Sequence, residues 1–106
     1  MDCMSPYTYF HVKDWTLYPG GRHKESGDFS ADELSEILLE KLQENSGKLY
    51  IVLDGVRGYA LSFLDQLVEN LLQNGVFNRV GFVSETQSYL DDLEYVINCH
   101  MRGKKG

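Results

Sequence analysis

Five consecutive apolar residues, Leu49-Tyr50-Ile51-Val52-Leu53, run into Asp54 and constrain this chain more than any other feature. The run is far too short to cross a membrane, which takes about 20 apolar residues in a helix. It suits a strand covered on both faces in a parallel sheet better than one half open to water. Parallel strands cannot be joined by tight turns, so helical crossovers should flank this segment.

Such helices can be read on both sides of it. Upstream, Ser30-Ala31-Asp32-Glu33 has the spacing of a capping box, in which the Ser30 hydroxyl accepts from the Glu33 amide and the Glu33 carboxylate from the Ser30 amide. Phe29 and Leu34 flank the box as a hydrophobic staple. Leu34, Ile37, Leu38 and Leu42 then trace one helical face until Asn45-Ser46-Gly47. Downstream, Leu64, Leu67, Val68, Leu71 and Leu72 predict a helix over Ser62–Asn74, with Gly75 at its C-terminal end. Arg79–Ser84 reads as another core strand. Thr86–His100 reads as a last helix with Leu90, Leu93, Ile97 and Met101 on one side. At the start, Tyr7–Val12 alternates like a strand and Trp15–Tyr18 resumes the pattern before Pro19-Gly20-Gly21 stops it. Arg22–Asp28 is polar and reads as a surface loop. The expectation is an α/β fold with a four- or five-stranded mixed sheet, a mainly parallel centre and about three helices.

At 106 residues the chain makes one domain, with a core from about 7 to 101 and a flexible basic tail over 102–106. The net charge is −6, although three of the ten cations (Arg102, Lys104, Lys105) lie in the last five residues, so the body is more acidic still. An acidic body repels phosphate backbones and anionic lipid surfaces, which disfavours nucleic-acid and membrane roles and favours a partner with a basic face. The N-terminal Met1-Asp2-Cys3-Met4 lacks a secretory pattern, so a cytoplasmic location is expected. Cys3 and Cys99 stand alone, without metal-ligand spacing, and predict reduced thiols and no metal site. No cofactor is expected.

In α/β sheets, binding occurs beyond the carboxyl ends of strands, and here that place is Asp54 to Asp65. The segment holds Asp54, Gly55, Arg57, Gly58, Tyr59, Ser62 and Asp65, the only dense polar constellation in the chain. Ser62 is open to two readings. It can be an N-cap with Asp65 as its box acid, or a phosphoacceptor whose added charge meets the positive end of a helix. Arg57 suits a solvated loop, a salt bridge to Asp54, or a clamp for a phosphate on Ser62. Tyr59 suits packing. The turn Gly20-Gly21-Arg22, with His23 and Lys24, is the one basic cluster and a possible anion-binding turn. A Ser62 nucleophile would need a base, and the spacing of His11, His23 and His100 selects none of them. Gly55-x-x-Gly58 lacks the Gly-Lys-Ser/Thr of a nucleotide-binding loop. A non-catalytic module is the expectation.

Asp54-Gly55-Val56-Arg57-Gly58-Tyr59, a small residue, then Ser62-Phe63-Leu64-Asp65 resembles the STAS-like family of bacterial domains. Upstream Pro19-Gly20-Gly21-Arg22 followed by Phe29-Ser30 resembles that family's first half, so the similarity spans roughly residues 9 to 75. The resemblance implies a regulatory protein-binding domain related to anti-sigma-factor antagonists, whose partner would be a histidine-kinase-type ATPase or an anti-sigma factor. The Asp-Ser-Ser-Gly turn of phosphorylatable relatives would fall on Ala60, Leu61, Ser62 and Phe63, with Ser62 at the phosphorylated position. A structural or regulatory subunit of a larger assembly, such as a phage-defence or transcription complex, is the alternative. A Ser-dependent enzyme is a third.

Overall fold

The computed structural model describes residues 7–44 and 47–103. Strand β1 (Tyr7–His11) leads directly into a one-turn helix α1 (Val12–Trp15), and after a long loop with a 3-10 turn at Lys24–Ser26 comes α2 (Ala31–Glu44). Strand β2 (Lys48–Val52), α3 (Leu61–Gln73), a second 3-10 turn, β3 (Val80–Val83) and α4 (Gln87–Gly103) complete the order.

Among the described residues the sheet has three strands in the order β1-β2-β3, and both pairings are parallel, with Tyr9 beside Tyr50 and Tyr50 beside Gly81. This is an α/β fold with a smaller and purely parallel sheet than the expected four or five mixed strands. The missing strand is Trp15–Tyr18. Trp15 closes α1, and the Thr16 hydroxyl accepts from the Tyr18 amide at 3.1 Å, so a local side-chain turn takes the place of a sheet ladder. The Trp15 ring packs edge-on against Phe29 instead, with centroids 5.4 Å apart.

Leu49, Ile51 and Leu53 are buried among Leu34, Leu38, Phe63, Leu64, Leu67, Val68, Leu71, Leu93 and Val96, so α2, α3 and α4 share one side of β2. The side chains between them point the other way. Tyr50 and Val52 are half-buried, while Tyr9 (59% exposed) and Val83 (39%) lie beside them on that face. The expectation of a strand covered on both faces is therefore corrected: among the described residues the helices cover one. Tyr50 lies across β3, where a Cβ at Gly81 would come within 2.6 Å of its ring, and stacks on Tyr9 at 5.5 Å.

The capping box forms as expected, with Ser30 N–H donating to Glu33 Oε1 at 3.1 Å and Glu33 N–H donating to Ser30 Oγ at 3.2 Å. Leu34, Leu38 and Leu42 are buried as the periodicity requires, and Ala31 and Ser35 join them. The closing residues Asn45 and Ser46 lie outside the described residues. In α4 the buried positions are Leu93 and Val96, whereas Met101, expected on the core side, is exposed. None of the described helices is long and apolar enough to cross a membrane.

Candidate functional site

Helix α3 starts one residue earlier than its apolar pattern predicts. Ala60 is the N-cap, extended and without a side-chain cap, so Leu61 opens the helix and Ser62 sits inside the first turn. Ser62 is thus not the cap, and Asp65 is not its box acid. What fixes this helix start is burial: Phe63 and Leu64 are fully enclosed while Leu61 is exposed. Fully burying one such side chain contributes about 1.5 to 3 kcal/mol, more than a cap would.

Released from capping, Asp65 reaches across to two other elements. Its Oδ2 accepts from Arg22 at 2.5 Å, and its Oδ1 lies 2.8 Å from His100 Nε2 on α4. Burial works to raise the Asp65 pKa, but the hydrogen bond and charge of Arg22, followed by those of His100, outweigh it and hold the carboxyl below its ordinary value. Beside this cluster lies a cavity of about 220 Å³ lined by Arg22, Leu61, Ser62, Asp65, Tyr95, Val96 and Cys99. Leu61 and Tyr95 put exposed apolar surface at its edge.

Arg22 arrives there because the Gly20–Arg22 segment is strapped over the start of α2. Gly20 N–H donates to the Phe29 carbonyl at 2.8 Å, and the amides of Ala31 and Asp32 donate to the carbonyls of Gly21 and Arg22. A side chain at position 20 would place its Cβ 2.5 Å from the Asp28 carbonyl oxygen, so only glycine allows this approach. The basic turn is thereby committed inward: the Gly20 amide and the Arg22 guanidinium both serve internal acceptors. The structure also brings together the two halves of the motif pattern, since Arg22 of Pro-Gly-Gly-Arg pairs with Asp65 of Ser-Phe-Leu-Asp.

The other expected site residues lie elsewhere. Asp54 is a clamp. Ser84 Oγ and Thr86 Oγ1 each donate to its Oδ1 at 2.7 Å and Glu85 N–H to its Oδ2 at 2.8 Å, tying the end of β2 to the loop before α4. The Ser84 bond, then those of Glu85 and Thr86, lower its pKa. Arg57 pairs with neither Asp54 nor Ser62; its guanidinium lies 5.9 Å over the Tyr18 ring, and its amide donates to the Leu17 carbonyl. Gly58 supplies a φ of 151° on the way to α3. Tyr59 is packing, as expected: its hydroxyl donates to the Leu53 carbonyl at 2.8 Å, its ring meets Phe63 and Tyr89, and burial pushes its pKa up.

Sequence reasoning did not select Glu69, Tyr95, Cys99 or His100. Glu69 follows Asp65 by one helical turn, which the 3.6-residue period makes visible in principle. The α4 residues become neighbours only because α4 packs on α3. A second polar cluster joins α2 to α3, where Asn70 Nδ2 donates to Asp32 Oδ1 and Ser35 Oγ and Gln66 Nε2 donates to Asn70 Oδ1. The Asn70 and His23 bonds hold the Asp32 carboxyl below its usual range. No protein-family model, curated protein or solved structure matches this chain.

Proposed function

We propose that this chain is a non-catalytic regulatory module of STAS-like type that binds a protein partner through the first turn of α3 and the adjoining side of α4. The observation that carries the reading is the cavity beside Ser62, with Arg22 and Asp65 at its polar side and Leu61 and Tyr95 exposed at its apolar edge. Tyrosine and arginine, here Tyr95 and Arg22 on one cavity, are among the residue types enriched at contact surfaces. The acidic body selects a partner with a basic face, such as a histidine-kinase-type ATPase or an anti-sigma factor, working in the cytosol.

Phosphorylation of Ser62 is the switch in this reading. A phosphate there brings a charge near −2 into a cavity already lined by Arg22 and Asp65. Repulsion from Asp65 and attraction to Arg22 act together, so the guanidinium exchanges the carboxylate for the phosphate. Arg22 takes the role that the sequence suggested for Arg57. Mass spectrometry of the chain recovered from its own cells should locate phosphate on Ser62. Ser62→Asp should weaken the partner complex while keeping Tm within a few degrees of wild type. Phosphate found only elsewhere, or a Ser62→Asp protein that binds as well as wild type, refutes the switch.

A second reading, a Ser62-dependent hydrolase, draws on the His100–Asp65 contact beside the same cavity. Ester turnover abolished by Ser62→Ala would favour it over the binding module.

A further inference from the structure

Asp65 and Glu69 lie one turn apart on α3, and His100 on α4 faces both. One oxygen from each carboxylate and a ring nitrogen of His100 all lie within 4.8 Å of one another. All three side chains are half-buried, and the packing of α4 on α3 holds the imidazole against the two acids. We propose that these residues form a binding site for a divalent first-row transition-metal ion, with Zn²⁺ its best-matched probe. The assignment goes beyond the partner-binding reading: it shares Asp65 with the cavity beside Ser62, but Glu69 and His100 do not line that cavity, so the ion site stands without a partner.

Three observations support the site. The donor set is one imidazole and two carboxylates, which suits first-row ions better than Ca²⁺ or Mg²⁺, whose sites are all oxygen. His100 Nε2 and Asp65 Oδ1 are 2.8 Å apart in their hydrogen bond, and opening that contact by about 0.6 Å reaches the roughly 3.4 Å that separates two donors around a tetrahedral ion about 2.1 Å from each. Both carboxylates are also oriented from behind. Arg22 holds Asp65 by Oδ2 and leaves Oδ1 toward His100, and Gln73 Nε2 donates to Glu69 Oε2 at 3.2 Å. The ion takes the place of the proton that now joins Nε2 to Oδ1, and that proton moves to Nδ1 or to solvent. The Arg22 charge opposes the ion, and the two carboxylates offset it.

Isothermal titration of the whole chain with Zn²⁺ tests this, using Glu69→Gln and His100→Ala to remove one donor each. Glu69→Gln leaves the Asp65 contacts in place, so it reports even where His100→Ala loosens α4. Wild type should bind one ion with a Kd below about 100 μM, and each variant should weaken it at least tenfold. Cys99→Ser should bind within threefold of wild type. Wild-type binding weaker than 1 mM, unchanged affinity in Glu69→Gln, or loss of binding in Cys99→Ser would each overturn the site, the last by making the thiolate the true ligand.

Discussion

Helices α2 and α3 begin with the same four-residue pattern, a serine followed three residues later by an acid, and they use it in opposite ways. At α2, Ser30 and Glu33 close a reciprocal box, and the preceding strap satisfies the next amides. Ser30 is fully buried. At α3 the pattern falls two residues later relative to the helix start, because Ala60 is the cap, so Ser62 and Asp65 have no backbone duty. Their side chains turn to a cavity and to Arg22 and His100 instead. Identical spacing thus produces a structural cap where it coincides with the N-cap position and a candidate site where it does not.

The largest expected effect tests whether α3 is held by its middle and not by its start. Leu67 is fully buried in the cluster shared with β2. Leu67→Ala should cost about 2 to 5 kcal/mol in a denaturant titration. A loss under about half a kcal/mol would put Leu67 at the surface and remove the anchor that lets α3 dispense with a cap.

Next is the cap of α2. Ser30→Ala should destabilise by about 1 kcal/mol, with a smaller loss for Glu33→Ala, because each leaves one amide of the box without its acceptor but Ser30 is fully buried while Glu33 is half-buried. Melting curves of the three proteins that superimpose would erase the contrast between the two helix starts.

The contrast also shows what could be read from the residues. The box at Ser30, the buried positions of β2 and the stripe on α3 all depend on neighbours within a few positions, where period and propensity decide the outcome. The apolar pattern misplaces the α3 boundary because Leu61 is apolar yet exposed, and Ala60 caps without a cap residue's chemistry. Trp15–Tyr18 failed as a strand because Thr16 offered the backbone a local partner. At the site, Ser62 and Asp65 were visible as a polar pair, but Arg22 is 43 positions from Asp65 and His100 is 35. Contacts over such separations are set by how the elements pack, and no local pattern encodes them. Arg57 is close to Asp54 and Ser62 in sequence but lies over Tyr18.

A smaller effect concerns the Arg22–Asp65 pair, whose side chains are 41% and 29% exposed, so Arg22→Ala should cost about 1 kcal/mol or less. Its pH dependence is more informative than its size. The Asp65 carboxyl has a folded-state pKa below its ordinary value, so the stability it contributes is fully present above the unfolded carboxylate pKa and is lost as pH falls through the folded one. The Tm gap between wild type and Arg22→Ala should therefore be widest near neutrality and close below about pH 4. A gap that stays constant down to acid pH would mean that Arg22 stabilises by packing alone.

The smallest effect is the sharpest on the comparison itself. If Ser62 caps nothing, its hydroxyl contributes little to folding, and Ser62→Ala should change stability by no more than about 0.5 kcal/mol. Ser30→Ala, removing the same atom from the same spacing, should cost clearly more. Measured side by side under one set of conditions, the two substitutions differ in whether the hydroxyl meets a helix amide and in burial, Ser30 being enclosed and Ser62 half-buried, and both differences make Ser30→Ala the costlier. A Ser62→Ala loss equal to that of Ser30→Ala would restore Ser62 as a structural residue. It would also remove the reason to look for partner contact or phosphate there, because a hydroxyl needed to hold α3 closed is not free to serve as a switch.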